Sequence, residues 1–531
     1  MQSIATVIIL LAVVTALAQI TDRIKIPYPI LLVLSGIGIG LIPGLPRLTL
    51  NPDVVFLIFL PPILYAAAWN TSWPDFKAAR RPITLLAIGC VIFTTCSVAW
   101  IAHTFIPNVG WLEAFVLGAI ISPPDAIAAT ASTKGLSVPK RVITVLEGES
   151  LVNDATGLIA YRYAVAAVVT GAFSIWDAGF KFILVATGGI ILGLVMGRIF
   201  KWIHKITPDN PTTDTTLTFL TPFIVYLLAE NIHISGVLAV VSCGVYLSWN
   251  SSELFNHQTR LQAYGSWDTA IFILTGVVFI LIGLQLPIIL TGIQDHTFPM
   301  LVKYGAIVSV AVIIGRIIWV FPGAYIPRLS KQVRESEPEV NIKLVTVVAW
   351  SGMRGVVSLA AALAIPLMIE GSKPFPNRNL IIFLTFSVIF STLVLQGLTL
   401  RPLIKWLGIK PDGKAHEDEL KARLKIASSV IEYIEENYSL NLTDEVLNLI
   451  KTKYEIRIQR IRKDQTRQKM NEDLINQFHI IQQELLNKER ELIIKLRREG
   501  SISEEVLRKI EYELDLEETR LILEQGIQGI S

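Results

Sequence analysis

Residues 118–130 read GAIISPPDAIAAT, an apolar run interrupted near its middle by Pro123, Pro124 and Asp125. Two consecutive prolines remove two backbone donors and disfavour helix in the residues that precede them. The stretch therefore predicts two half-helices joined by irregular backbone. Inside a bilayer such backbone must be shielded by protein or line a cavity, because exposed amides find no partner in hydrocarbon.

A second interruption follows in an apolar run further along the chain, at Trp350-Ser351-Gly352-Met353-Arg354-Gly355. Flexible glycines here surround a charge that lipid does not tolerate. Half-helices present positive N-terminal and negative C-terminal ends, so we expect Asp125 and Arg354 each to balance one end. Interrupted helices at equivalent positions of two repeats indicate the ion site of a secondary transporter. The alternative is a pair of ordinary helices kinked by proline or glycine.

The composition around these breaks is that of a polytopic, all-α membrane protein. Of the 531 residues, 52% are hydrophobic and 17% charged, and the mean hydropathy is +0.54. Segments near the roughly 20 residues needed to cross a bilayer predict thirteen transmembrane helices. These are residues 3–20, 29–44, 53–70, 83–106, 111–133, 142–170, 178–200, 215–231, 233–249, 267–290, 303–326, 341–369 and 379–407. If the halves are spans 1–6 and 8–13, with span 7 as a linker, the interrupted fifth and twelfth spans are equivalent.

The charges of the loops predict the orientation of these spans. Sixteen Lys and Arg residues fall in one alternating set of loops and five in the other, and the richer set is expected in the cytoplasm. The N-terminus is then outside, and the C-terminal tail is cytoplasmic. Residues 1–15 contain no Lys or Arg, so we interpret the first span as a retained helix rather than a signal peptide. The expected location is the plasma (inner) membrane, in contact with its lipids.

The chain divides by charge into a transmembrane domain, residues 1–410, and a tail, residues 411–531. The tail holds 20 basic and 25 acidic residues, against 27 and 19 in the longer first part. Leu and Ile recur in the tail at helical spacing among dense charges, which predicts amphipathic helices. A solvated helical appendage and a regulatory or dimer-stabilising domain remain open as interpretations, as does contact of its basic runs with anionic lipid.

The sixth span carries ionisable residues where a stable fold would normally place leucine. In LEGESLVND, residues 146–154, Ser150 and Asp154 are four residues apart, as are Glu149 and Asn153, so two stripes of oxygen ligands adjoin near mid-membrane. An intramembrane carboxylate is by default a functional candidate. We expect Glu149 to form a buried structural ion pair with Arg354 and Asp154 to be the working group.

These ligands predict the chemistry of the site. Carboxylate, hydroxyl, amide and carbonyl oxygens suit a hard cation such as Na⁺ or Li⁺, with Asp154 and Ser150 as the metal ligands. Proton and cation would exclude one another at Asp154. Since Asn153 does not titrate, exchange of one proton for one monovalent cation would be electroneutral.

Four ordered motifs resemble those of the monovalent cation/proton antiporters of the NhaP and eukaryotic sodium/proton exchanger type. They are LPPILYAAAWN (60–70), SPPDAIAAT (122–130), LEGESLVND (146–154) and WSGMRGVVSLAAALAIP (350–366). The resemblance implies thirteen helices in inverted repeats, a core domain that moves against a dimerisation domain in a homodimer, and electroneutral Na⁺(Li⁺)/H⁺ exchange. It places the ion-site roles on Asn153, Asp154, Ser150 and Asp125, and the structural pair on Glu149 and Arg354.

Two positions depart from the family pattern. Many members carry a glutamate where this chain has Ala66, and a threonine where it has Pro124, of which only the backbone carbonyl could serve. Both changes affect the ion pathway, so K⁺ stays open as a substrate beside Na⁺ and Li⁺.

Other function classes fit less well. An intramembrane aspartyl protease could pair Asp125 with Asp154, and a cation channel would conduct without proton coupling. There is no glycine-rich nucleotide loop or metal-hydrolase motif, and the three cysteines have no ligand spacing, so no cofactor and no enzyme activity are expected. The modest net charge of +3 gives no indication of nucleic-acid binding.

Overall fold

The computed structural model of the chain describes residues 2–24, 26–42, 52–133, 136, 138–171, 175–207, 210–293, 297–336, 339–369, 373–409 and 413–438, with residues 458, 482–489, 491–493, 495, 510 and 513–519 of the tail. Contacts divide the chain into two units, Met1–Asp412 and Gly413–Ser531. The first unit holds the apolar helices and the second the charged tail.

A helix lies at every predicted span. The helices are α1 (Gln2–Ile24), α2 (Tyr28–Gly40), α3 (Pro52–Asn70), α4 (Arg80–Phe105), α5 (Trp111–Ile121), α6 (Ala126–Thr133), α7 (Lys140–Thr170), α8 (Ile175–Ile206), α9 (Pro211–Asn231), α10 (Gly236–Leu254), α11 (His257–Thr291), α12 (Phe298–Tyr325), α13 (Ile342–Trp350), α14 (Val356–Leu363) and α15 (Arg378–Trp406). The fifth span is thus split into α5 and α6, and the twelfth into α13 and α14, as the sequence predicts.

Seven segments of the described residues are long and apolar enough to cross a membrane by themselves, beside shorter apolar helices. The sixth span, α7, is not among the seven because it carries charges, and it is instead enclosed by its neighbours. Helix α8 has the opposite environment. Only 17% of the residues in its apolar stretch are buried, and Trp176 and Phe180 are exposed. A helix so apolar and so little covered by protein faces lipid.

The helices of the first unit pack in two groups. The crossing bundle consists of α4–α7 and α12–α15, and the flanking bundle of α1–α3 and α8–α11. In the flanking bundle α3 packs on α10, and α11 packs on α2. In the crossing bundle α5 packs on α4 and α7, while α13 packs on α12 and α14 on α15. Exchanging each span with the one seven places away reproduces these pairs, which is the pattern of an inverted repeat.

Short elements complete the first unit. A helix at Trp73–Ala78, capped by the Ser72 hydroxyl, links α3 to α4. Strands β1 (Met368–Ile369) and β2 (Lys373–Pro374) form an antiparallel hairpin between α14 and α15. A 3₁₀ turn at Ile326–Leu329 and a helix at Lys331–Ser336 follow α12.

The tail is helical where the structure describes it. Helix α16 (Gly413–Tyr438) is amphipathic, and residues 482–489 and 513–519 are also helical. Leu486, Ile493 and Leu514 bury one another in a small apolar cluster. The remaining residues of the tail, over which the sequence also predicts amphipathic helices, lie outside the described residues.

Two glycines allow α2 and α11 to approach backbone to backbone. A Cβ on Gly283 would collide with the Val33 carbonyl, and one on Gly36 with the Ile280 carbonyl. Because backbone cannot retreat as a flexible side chain can, we expect Gly283→Ala to cost about 1–3 kcal/mol of stability. The measurement is the thermal unfolding midpoint of the purified protein. Gly38→Ala on the same α2 is the control, since nothing lies within 4 Å of its added Cβ. Equal midpoints for the two variants would contradict the close approach.

Candidate ion-binding site

The two helix breaks meet and are joined through their backbones. The amide of Asp125, between α5 and α6, donates to the carbonyl of Met353, between α13 and α14, at 2.7 Å. Four half-helix ends therefore converge in the crossing bundle, two of them positive and two negative. Each end leaves backbone groups that its own helix cannot satisfy.

The Asp125 carboxylate accepts hydrogen bonds at both positive helix ends, those of α6 and α14. Its Oδ1 accepts from the amide of Ile127 in the first turn of α6 at 2.8 Å. The carboxylate also accepts from the amide of Val356, where α14 begins. Gly355 makes this contact possible, because a side chain at that position would overlap Asp125 Oδ2. Asp125 is thus an anionic cap shared by two helix N-termini.

Arg354 donates hydrogen bonds at the negative, C-terminal end of α5. It is fully buried, and its Nε donates to the carbonyl of Ile121 at 2.7 Å, while its guanidinium also donates to the Gly352 carbonyl. The Arg354 amide donates to Thr392 Oγ1 of α15 at 3.1 Å. The side chain therefore neutralises the carbonyls of a broken helix rather than a carboxylate.

The predicted ion pair between Glu149 and Arg354 is wrong. Glu149 of α7 binds Arg316 of α12 instead, in a bidentate pair with N–O distances of 2.6 and 2.8 Å. Arg316 also donates to the carbonyl of Val348, in the last turn of α13, at 3.2–3.3 Å. Arg316 thus neutralises the carbonyl end of α13, as Arg354 neutralises that of α5. It also binds α7 through Glu149.

Arg316 is a residue that the sequence reasoning missed. It lies in the interior of the apolar eleventh span, and a charge there was the signal that could have identified it. Only 1% of its surface is exposed. With two arginines buried near one glutamate, the residues alone do not decide which of them pairs with it.

Asn153 and Ser150 fasten α7 to the fifth-span break. The Asn153 Nδ2 donates to the Pro124 carbonyl at 2.8 Å, and Ser150 Oγ accepts from the Ala126 amide at 3.4 Å. The Asn153 Oδ1 is buried and has no hydrogen-bond partner among the described residues. One end of this amide is therefore structural, and the other is an uncommitted hard oxygen ligand.

Asp154 stands at the inner wall of a cavity of about 630 Å³. It is 7% exposed, and the structure shows no hydrogen bond or ion pair from its carboxylate to any described residue. Asp125, Ser150 and Ala66 line the same cavity, as does Glu147, which the sequence reasoning did not select. The predicted ion-site residues are thus brought together around one accessible carboxylate.

The cavity-lining residues that lie near helix ends are all at one face of the helix bundle. Tyr28, Asn70, Thr133, Ser251 and Arg260 line the cavity near helix ends. All five lie beside the loops that carry the excess of Lys and Arg.

Replacing each of the two glutamates of α7 by glutamine tests which of them stabilises the fold. We expect Glu149→Gln to destabilise the protein by about 3–5 kcal/mol, because it leaves the Arg316 charge buried without its counter-charge. Glu147→Gln is the matched control, two residues earlier on the same helix and without a described ion-pair partner. The thermal unfolding midpoint should fall for the first variant alone. A parental midpoint for Glu149→Gln would refute the structural role of the pair.

The sequence is similar to a known protein family and to individual proteins. The family profile described as "Sodium/hydrogen exchanger, transmembrane" matches residues 8–406. The chain is 34% identical over 480 residues to a protein of Bacillus pumilus named "Sodium, potassium, lithium and rubidium/H(+) antiporter", covering 87% of this chain and 70% of that protein. It is 31% identical over 426 residues to the "Na(+)/H(+) antiporter ApNhaP" of Aphanothece halophytica, covering 79% and 78%.

The fold has a counterpart among solved structures. The sodium proton antiporter MjNhaP1 of Methanocaldococcus jannaschii superposes with a TM-score of 0.61 at 20% sequence identity, over 77% of this chain and 100% of that one. At this identity the likeness concerns the fold alone. The match of the family profile to most of the chain, together with these relatives, shows that the protein belongs to the sodium/hydrogen exchanger family.

Proposed function

We propose that the protein is an electroneutral Na⁺(Li⁺)/H⁺ antiporter in which proton and cation alternate on Asp154. The observation that carries this proposal is the Asp154 carboxylate itself, nearly buried yet without a described partner, at the wall of the cavity. A carboxylate in a low-dielectric site is costly unless a counter-ion or a proton neutralises it. Asp154 therefore requires one of the two at all times.

The other buried charges already have partners. Asp125 accepts from backbone amides, Arg354 donates to carbonyls, and Glu149 binds Arg316. Protonating any of these carboxylates would leave a helix end or an arginine unbalanced. This division supports Asp154, rather than Asp125 or Glu149, as the group that exchanges its ligand.

The surroundings of Asp154 suit a small hard cation. Ser150 Oγ and the free Asn153 Oδ1 lie on the same helix, one turn and one residue before it. Oxygen ligands of this kind favour alkali cations over soft metals. Pro124 contributes indirectly, since its carbonyl accepts from Asn153 and so fixes the orientation of that amide. One titrating carboxylate and a neutral neighbour support a ratio of one proton to one cation.

The cavity supports an alternating-access cycle. It opens beside the Lys- and Arg-rich loops, which the positive-inside rule assigns to the cytoplasm. In this state Asp154 faces inward, the N-terminus is outside and the tail is cytoplasmic. Glu147 and Asp268 line the cavity and attract cations toward it. We also propose a homodimer in the plasma membrane, as the family resemblance implies.

Potassium is the second candidate substrate. Ala66 lines the cavity where many family members carry a glutamate, so the pathway here lacks that acidic side chain. The relative from Bacillus pumilus is named for sodium, potassium, lithium and rubidium. Both observations favour including K⁺ when substrates are tested.

A protease or a channel is less well supported. An aspartyl protease needs two carboxylates free to act on one peptide, whereas the Asp125 carboxylate is occupied by two helix N-termini. A channel needs a continuous pore, whereas the described lining residues near helix ends all lie beside the Lys- and Arg-rich loops, which suits alternating access better.

Replacing the working carboxylate should abolish exchange without unfolding the protein. In proteoliposomes with an imposed pH gradient, we expect Na⁺ or Li⁺ to dissipate the gradient with the parent and not with Asp154→Asn. Glu113→Gln, which also removes one carboxylate but lies on α5 outside the cavity, should retain exchange. Adding K⁺ in the same assay determines whether it is also a substrate. Coupled exchange that survives in Asp154→Asn would refute the assignment.

Electroneutrality has its own test. Because one charge replaces one charge on Asp154, the initial rate of Na⁺-driven gradient dissipation should not change when a membrane potential of either sign is imposed. The measurement compares rates at about −100, 0 and +100 mV, where moving one net charge corresponds to about 2.3 kcal/mol per 100 mV. A rate that rises and falls with the sign of the potential would show that net charge moves.

A further inference from the structure

A salt bridge joins the two bundles on the face away from the cavity. Arg162 of α7, in the crossing bundle, donates from Nη2 to Oε2 of Glu230 in α9, in the flanking bundle, at 2.7 Å. Neither side chain lines the cavity. The pair therefore connects two groups of helices that alternating access requires to move against each other.

The position of Arg162 along α7 gives it a direct connection to the ion site. Helix α7 begins at Lys140 near the cavity opening, and Asp154 lies in its middle. Arg162 follows Asp154 by eight residues, or about 12 Å along the helix. Any movement of α7 that carries Asp154 from one face to the other must also move Arg162.

Glu230, in contrast, is held within the flanking bundle. It lies in the last turn of α9, and its carbonyl accepts from the His233 amide at 3.0 Å in a tight turn where His233 has a φ of 59°. Its Oε1 lies against Gly236, the first residue of α10, where an added Cβ would be 3.1 Å away. A helix N-terminus favours a carboxylate, so Glu230 stays with α9 and α10 when α7 moves.

We propose that Arg162 and Glu230 are positioning residues for the exchange, whose ion pair closes the pathway on the face opposite the cavity. The inference rests on the proposed alternating-access function. The pair forms when Asp154 faces the cavity and separates when Asp154 turns to the other face. It thereby biases the protein toward the state seen here.

The exposure of the pair suits a contact that must break in every cycle. The Arg162 side chain is 50% exposed and that of Glu230 29%. Ion pairs this exposed shift an equilibrium by about two- to five-fold. A fully buried pair such as Glu149–Arg316 would instead hold the bundles in one state.

The experiment measures cavity opening through a single thiol. Ala131 is a half-buried residue that lines the cavity, and Ala131→Cys is made in protein whose three native cysteines are replaced. The rate of modification by a hydrophilic maleimide in detergent reports the fraction of molecules with the cavity open. Rates are compared for the parent background, Arg162→Gln, Glu230→Gln and the double variant.

We expect each single variant to lower the ratio of open to closed molecules about two- to five-fold, which slows modification by at most that factor. The double variant should slow it no further, because the first change already removes the pair. The charge swap Arg162→Glu with Glu230→Arg should restore much of the rate. Lys201→Gln is the matched control, since Lys201 pairs with Glu253 inside the flanking bundle. It should leave the rate unchanged.

Parental modification rates in both single variants, or effects that add in the double variant, would overturn the inference. Slowing by Lys201→Gln to the same extent would also overturn it, because loss of any ion pair would then suffice. The unsubstituted protein is assayed for cation/proton exchange in parallel. Absence of exchange there would refute the proposed function, whereas exchange with unaltered thiol rates refutes the closing role of Arg162 and Glu230 alone.

Discussion

The structure depends on the neutralisation of broken helix ends inside the crossing bundle. Interrupting a helix in a membrane exposes amides at one end and carbonyls at the other, and neither finds a partner in lipid. Asp125 accepts hydrogen bonds from amides at the starts of α6 and α14. Arg354 donates to a carbonyl at the end of α5, and Arg316 donates to a carbonyl in the last turn of α13. Glu149 then balances Arg316 and fixes α7 beside the crossing. Without these charges the two breaks could not lie together.

Once these charges are assigned, Asp154 differs from its neighbours. Charged groups that hold the fold have donors or acceptors matched to them, and removing one partner leaves a buried charge. Asp154 has no such partner among the described residues, and the cavity reaches it. The fold therefore separates two uses of intramembrane charge on the same helix. Glu149 is paired with Arg316, while Asp154, which we propose to hold an exchangeable counter-ion, has no partner among the described residues.

The sequence predicted the helices and their two breaks because each has a local physical cause. Apolar length determines a span, and Pro123-Pro124 and Gly352 to Gly355 prevent continuous helix. Which buried charges form ion pairs could not be predicted in the same way, since the pairing depends on packing between distant helices. Glu149 and Arg354 were both expected to be buried charges, yet α12, rather than the break between α13 and α14, presents the arginine to α7. The hydrogen bond from Asn153 to the Pro124 carbonyl, and the pair of Arg162 with Glu230, likewise need three-dimensional proximity to be recognised.

The most direct test of the central claim is the number of protons released when the purified protein binds Na⁺. Calorimetry or a pH indicator in weakly buffered solution gives this number for the parent and for Asp154→Asn. If proton and cation compete for one carboxylate, release should approach one proton per Na⁺ bound at the pH where the empty site is protonated, and should vanish in Asp154→Asn. Na⁺ binding without proton release in the parent, or unchanged release in Asp154→Asn, would contradict the account.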